Sequence, residues 1–183
     1  MATYLDAIVA RHRAHAAVDS RSTAGLVQVA KEMAPTRGFR AALAAATELA
    51  VISEVKRRSP SKGDLFVDLD PALLAIDYQA AGATCLSVLT DTESFGGSVE
   101  DLVAARSAVG VPVLRKDFTV SANDVCDARL MGADCVLLIV AALSDGELDE
   151  YSSLTTDIGL DVLVEVHDEA ELARALRRTA GDL

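Results

Sequence analysis

Along this chain the pattern of apolar and polar positions changes period near residue 50. Before that point, apolar residues recur at helical spacing over 3–18 and 24–33, and more briefly over an Ala-rich stretch at 38–46. After it, short runs dense in Val, Leu and Ile return every ~25–35 residues, the length of one strand–helix unit. They are LAVISEV from Leu49, TCLSVLT from Thr84, VPVLRKDF from Val111, CVLLIVA from Cys135 and DVLVEV from Asp161. The stretches between them carry helix-start signals. Asp70-Pro71 supplies a cap followed by proline in the first turn. Ser98 precedes Asp101, Ser121 precedes Asp124, and Ser144 with Glu147 forms a capping box that Asp168 with Glu171 resembles. Gly82, Gly110 and Gly132 fall near helix ends, where a left-handed residue is often required. Alternating strands and helices predict a parallel sheet, and the unbroken apolar runs predict that both its faces are covered. The expected organisation is an α-helical N-terminal extension over 1–48 and an α/β region over 49–183.

Composition narrows the class. The 183 residues are 51% hydrophobic and 25% charged, which suits a globular domain with a core. A net charge of −11 argues against a general nucleic-acid binder, yet leaves room for an anionic ligand at a local basic cluster. The densest such cluster is Lys56, Arg57, Arg58 and Lys62. No run has the length of a membrane span, and charges interrupt the N-terminal apolar pattern, so neither a membrane partner nor a secretory signal is expected. Cys85, Cys126 and Cys135 lack metal-type spacing and fit a reducing, cytoplasmic setting; Cys85 and Cys135, inside apolar runs, read as small buried hydrophobes. His12 and His15, three apart on the first helix, read as a solvated face, since no third metal ligand lies near them in sequence.

The strand ends raise a question of chemistry. Residues two apart on a strand share a face. Ile52, Glu54, Lys56 and Arg58 therefore share one face of the first strand, Leu114, Lys116 and Phe118 one face of the third, and Leu163, Glu165 and His167 one face of the fifth. Three strands thus turn ionisable groups to a single side near their C-terminal ends, where α/β enzymes hold their catalytic groups. A buried ion-pair cluster of purely structural purpose is the alternative, though such clusters are weak stabilisers. Two carboxylates and two ammoniums in one pocket suit proton transfer. The following loop, RSPSKGD, places Ser59 and Ser61 beside several cations and suits a phosphate.

The segment VISEVKRRSPSKGD (51–64) resembles the signature of the indole-3-glycerol phosphate synthase family. SVLTDTESFGGSVEDL (87–102), PVLRKDF (112–118), GADCVLLIVAAL (132–143) and VLVEVHDEAEL (162–172) continue the resemblance in family order, and YLDAIVARHR looks like the family's N-terminal helix. The resemblance implies a (β/α)8 TIM barrel with a helical N-terminal extension. It implies a lyase of tryptophan biosynthesis that closes the indole ring of 1-(2-carboxyphenylamino)-1-deoxyribulose 5-phosphate, losing carbon dioxide and water, with no metal and no organic cofactor. By motif, Lys116 resembles the general acid on the ketone oxygen, and Glu165 a carboxylate acting as base or stabilising the cationic intermediate. Glu54 and Lys56 resemble the acid–lysine pair of the first strand, and Ser59 the phosphate-binding serine. Phe95 and Phe118 resemble aromatics that pack on the anthranilate ring.

Five apolar runs supply five of the eight strands of that barrel, whose typical length is about 250 residues. The Asn-Arg and Glu-Ser pairs that the family carries on later strands have no counterpart here. The expectation is therefore an incomplete barrel that is a poor catalyst alone and self-associates through open sheet edges. The competing expectation is a barrel fragment acting only as a folding or association unit. A different phosphate-binding barrel enzyme, such as phosphoribosylanthranilate isomerase, is disfavoured by the joint occurrence of SEVKRRSPS, RKDF and VEVHD.

Overall fold

The computed structural model describes residues 4–178. Three helices open the chain: α1 (Tyr4–Val18), α2 (Thr23–Glu32) and α3 (Phe39–Ala44). Then come β1 (Ile52–Val55) and a small antiparallel hairpin, β2 (Arg58–Ser59) with β3 (Gly63–Asp64). The remainder alternates: α4 (Pro71–Ala80), β4 (Cys85–Leu89), α5 (Thr92–Phe95), α6 (Val99–Ala108), β5 (Val113–Lys116), α7 (Ala122–Leu130) and β6 (Cys135–Ile139), then α8 (Asp145–Asp157), β7 (Asp161–Glu165) and α9 (Glu169–Arg178). The predicted caps form. Asp70 accepts from the Ala72 and Leu73 amides, Ser98 from Asp101, Ser121 from Asp124, and Ser144 with Glu147 makes the reciprocal box. Each such cap contributes about 1 kcal/mol. Gly82 and Gly132 take left-handed backbone at helix ends, whereas Gly110 does not: α6 is left through Val109 in extended backbone.

The five principal strands form one parallel sheet in the order β1-β4-β5-β6-β7. It is open among the described residues, with β1 and β7 as its edges. Two apolar clusters account for the unbroken hydrophobic runs. On one face Leu86, Val88, Val113, Val136 and Leu138 pack against the helices. On the other Cys85, Leu114, Cys135, Leu137 and Ile139 form an inner cluster with Phe39. Burying one such Leu or Val contributes about 1.5–3 kcal/mol. Cys85 and Cys135 are buried, as the sequence suggested, and so is Cys126 on α7; burial pushes the Cys85 thiol up to about 11.

The N-terminal helices brace the sheet at both ends. Phe39, 2% exposed at the start of α3, fills the inner face near the N-terminal ends of the strands. The Arg37 amide donates to Asp134 (2.8 Å) and the Arg40 amide to Asp161 (3.0 Å), at the entries to β6 and β7. Asp134 is fully buried and also takes the Val113 amide (2.9 Å) and the Arg106 guanidinium (2.9 Å). Helix α2 lies on α7, where Thr23 donates to Asn123 (2.7 Å). Helix α1 reaches the opposite end, where Arg13 binds Glu147 at the start of α8 (2.7 Å) and the Ala142 carbonyl (2.8 Å).

One expectation about β1 needs correction. Its ladder ends at Val55, so Lys56 stands just beyond the strand and Arg58 belongs to the hairpin. Strand parity therefore does not carry through to Arg58.

Candidate active site

A cavity of about 420 Å³ opens at the C-terminal end of the sheet, beneath α1. Its floor is the inner-face apolar layer, Leu89, Leu137 and Ile139. Its charged wall comes from the strand ends: Glu54 and Lys56 at β1, Lys116 at β5 and Glu165 at β7. Lys116 Nζ donates to Glu165 Oε2 at 2.5 Å, and Lys56 Nζ donates to Glu54 Oε1. His167 Nε2 lies 3.3 Å from the second oxygen of Glu165, while its backbone amide donates to Glu171 (2.8 Å). The register staggers the charged residues. Glu54 pairs with Ser87, which pairs with Leu114; Lys116 pairs with Leu89, two residues further along; and Glu165 pairs with Ile139, beyond the Leu137–Leu163 pair, so the charged groups step upward across the sheet above its apolar inner layer.

Two aromatic rings make a second wall. Phe95 from the end of α5 and Phe118 just after β5 stand 6.2 Å apart between centroids, tilted by 34°. Phe95 is carried by a tight loop. Gly96 has φ +66°, and Gly97 is pressed so closely on β4 that a Cβ there would lie 2.1 Å from the Leu89 carbonyl oxygen. Only glycine fits such a backbone approach.

The basic loop behaves differently from its sequence appearance. Ser59, Pro60 and Ser61 line the cavity, and Ser59 also borders a second hollow beside Arg11 and Arg58. Arg57, however, turns away to Asp101 (2.8 and 2.9 Å) and the Val67 and Leu69 carbonyls. Arg58 donates to the Glu93 carbonyl on α5, and Lys62 is exposed. The four cations thus do not face the cavity as a block; two of them fasten the loop.

The residues that sequence reasoning missed lie on α1. Tyr4, Leu5 and Ile8 roof the cavity. His12 is not on a solvated face, in contrast to His15. Its Nε2 lies 2.9 Å from Asp91 Oδ2 and 3.8 Å from Asp117 Oδ1, and its ring stands 5.3 Å from that of Phe118. Asp91 and Asp117 have side chains 3% and 5% exposed. Arg11 donates to the same Asp91 oxygen, and Asp117 takes Arg115 (3.0 Å) and Thr90 (2.5 Å). Burial acts to raise the Asp91 carboxyl, but bonds from His12 and the Ser94 amide, with the Arg11 charge, hold it well below the usual carboxylate range. His12, Asp91 and Asp117 have a donor set that could grip a cation. Two guanidiniums already bonded to those carboxylates would oppose one, so the cluster is an ion-paired tie between α1 and the sheet. The available signal was the spacing Leu5, Ile8, His12, which puts the histidine on the apolar stripe of its helix.

No helix among the described residues is long and apolar enough to cross a membrane. Comparison with known proteins adds a family. The model described as indole-3-glycerol phosphate synthase matches residues 5–181. A protein of that name from Hyphomonas neptunium (strain ATCC 15444) is 46% identical over 182 residues, covering 97% of this chain and 69% of the relative. Another of that name, from Paenarthrobacter aurescens (strain TC1), is 50% identical over 163 residues, covering 87% of this chain and 60% of the relative.

Proposed function

The chain belongs to the indole-3-glycerol phosphate synthase family of TIM-barrel lyases, and on that premise we propose that its cavity closes the indole ring of 1-(2-carboxyphenylamino)-1-deoxyribulose 5-phosphate. The aryl carbon bearing the carboxylate attacks the C2 ketone as Lys116 delivers a proton to the ketone oxygen. The amine nitrogen supplies the electron pair and becomes an iminium, which Glu165 faces as a fixed negative charge. Carbon dioxide leaves, and its bonding pair neutralises the iminium. The new hydroxyl then departs as water with a proton from the Glu54–Lys56 pair. A last proton is lost from the carbon beside nitrogen to give the aromatic indole. Ser59 binds the phosphate, and Phe95 with Phe118 holds the aryl group. Metal and organic cofactors have no part in this scheme.

The observation that carries this reading is the 2.5 Å contact of Lys116 with Glu165 in a cavity that also presents Glu54, Lys56 and two aromatic rings. An ammonium held against a carboxylate is a positioned proton donor, and such donors contribute about 10²–10⁴-fold. Turnover by residues 1–183 alone is proposed to be low. Glu54 and Glu165 stand at the two open edges of the sheet with side chains 34% and 31% exposed. Water there weakens the electrostatics that a closed site would concentrate. A single-turnover assay with protein in excess over substrate tests the reading. Indole fluorescence should rise slowly, with one carbon dioxide released per indole. Bound substrate that never yields indole would overturn it.

A further inference from the structure

Two carboxylates control how the aromatic wall of the cavity is presented. Asp91 caps α5 by accepting the Ser94 amide through Oδ1 (2.6 Å), and the next residue of that helix is Phe95. Asp117 accepts the amide of Phe118 through Oδ1 (2.8 Å). Each acid therefore fixes the backbone that launches one ring. They belong to different βα loops, after β4 and after β5, and both carry a negative charge, so nothing in their own pairing draws them together.

His12 stands between them. Its Nε2 reaches Asp91 Oδ2 at 2.9 Å and faces Asp117 Oδ1 at 3.8 Å. Its ring stands 5.3 Å from that of Phe118, tilted by 41°, and Phe118 in turn neighbours Phe95 at 6.2 Å. His12 is not itself among the side chains lining the cavity. The charged groups around it are Arg11 on its own helix, Asp91 after β4, Arg115 on β5 and Asp117 just after β5.

We infer that His12 is a positioning residue: by bonding Asp91, which seats Phe95, while its ring stands against Phe118, it sets the spacing of the Phe118 and Phe95 rings and so the fit of an aryl substrate. The inference rests on the proposed function for the identity of that aryl group, but the ring spacing itself does not. It also gives α1 a role beyond covering the cavity, because the helix carries the histidine that ties two loops of the barrel.

Fluorine NMR separates the two levels. The chain contains four phenylalanines, so 4-fluorophenylalanine labelling gives four signals, assigned by single Phe→Leu variants. His12→Ala should move the Phe118 and Phe95 signals and leave that of Phe39, which packs at the other end of the sheet. His12→Phe keeps a ring on Phe118 but loses the bond to Asp91, and should still displace the Phe95 signal. His12→Gln, which retains a donor at similar reach but no ring, should restore the Phe95 signal. A Phe95 signal unchanged in both His12→Ala and His12→Phe would overturn the inference, whatever the protein catalyses. In the single-turnover assay, the concentration of substrate giving half-maximal rate should rise about tenfold or more in His12→Ala, the order expected of a misplaced binding wall. The rate at saturation should change less, and His12→Gln should recover most of the loss. A wild-type chain that never forms indole would refute the proposed reaction while leaving the fluorine result to decide the role of His12.

Discussion

Lys116 and Glu165 meet at 2.5 Å although a whole strand, β6, lies between the strands that carry them. Strands two apart are separated by about 9–10 Å in the hydrogen-bonding direction. Only two long side chains leaning from the same face can bridge that gap, and Leu137 and Ile139 of β6 fill the floor below them. The pair spans the sheet without being part of its core. With side chains 26% and 31% exposed, it contributes at most about 1 kcal/mol to stability.

Lys116→Met separates chemistry from folding for this reason. It keeps the aliphatic stem and removes the proton donor. Single-turnover ring closure should fall by about 10²–10⁴-fold, with the melting temperature nearly unchanged. Near-normal closure would remove Lys116 from the general-acid role.

Ser59 should act on binding. It borders both the cavity and the hollow beside Arg58, while its own loop is closed by the Lys62 amide bonding back to its side chain at 3.3 Å. Ser59→Ala should weaken inorganic phosphate binding, read by calorimetry, and raise the substrate concentration needed for half-maximal closure more than it lowers the limiting rate. The reverse split would contradict the assignment.

Gly97 sets the seat of Phe95. Any side chain there meets the backbone of Leu89, a central strand residue that cannot retreat. Gly97→Ala should lower the melting temperature and shift Phe95 away from Phe118, checked by thermal unfolding and by the fluorine signals of the two rings. An unaffected protein would mean that the loop lifts off β4 at little cost.

The parts of this molecule that could be read from sequence are those with a local cause. Caps such as Ser144 with Glu147 act within one turn, and strand parity alone puts Lys116 and Glu165 on one face. What stayed hidden depends on long-range partners. His12 finds Asp91 79 positions away, and nothing near it in sequence announces a carboxylate. The basic run misled for a similar reason. The β2–β3 hairpin turns Arg57 and Arg58 in different directions, and Asp101 claims Arg57 from 44 positions away. The ladder's end at Val55 was also obscured, because no glycine or proline separates Val55 from the hairpin that starts at Arg58.

Acid should loosen α1 first. The bond from Arg13, opposed by burial and aided by the Ser144 amide, holds the Glu147 carboxyl down at about 2, against an ordinary value of 4.5. A carboxyl lowered by folding contributes stability that is complete above its unfolded value and lost as pH falls through its folded value. The contribution of this tie should thus be intact above about pH 4.5 and gone near pH 2. Asp91, held lower still, keeps its hold on α1 to more acid pH. Hydrogen exchange of α1 amides should quicken at low pH before that of β4 and β6. Arg13→Ala should move the Glu147 titration upward toward the ordinary range, as read by carbon NMR of its carboxyl. An unmoved midpoint would show that Arg13 is not the cause.

The two edges of the sheet lead to the last expectation. Among the described residues β1 ends the sheet on one side and β7 on the other, and an unpaired edge offers amides and carbonyls to any second strand. Natural edges are commonly protected by charge, yet Leu49 is 88%, Val51 42% and Ile52 38% exposed beside β1. On β7 the outward residues Val162 and Val164 are only partly buried. Both edges therefore combine free hydrogen-bonding groups with accessible apolar side chains, the combination that favours strand addition. A purified 1–183 chain should associate with itself in a concentration-dependent way, measured by sedimentation velocity. Val51→Lys puts a charge beside β1 without touching the inner face, and should shift the population toward monomer while leaving the helical circular dichroism unchanged. A parent chain that sediments as a single monomer across the concentration range would show that these edges do not pair, and the apolar residues beside β1 would then need another explanation.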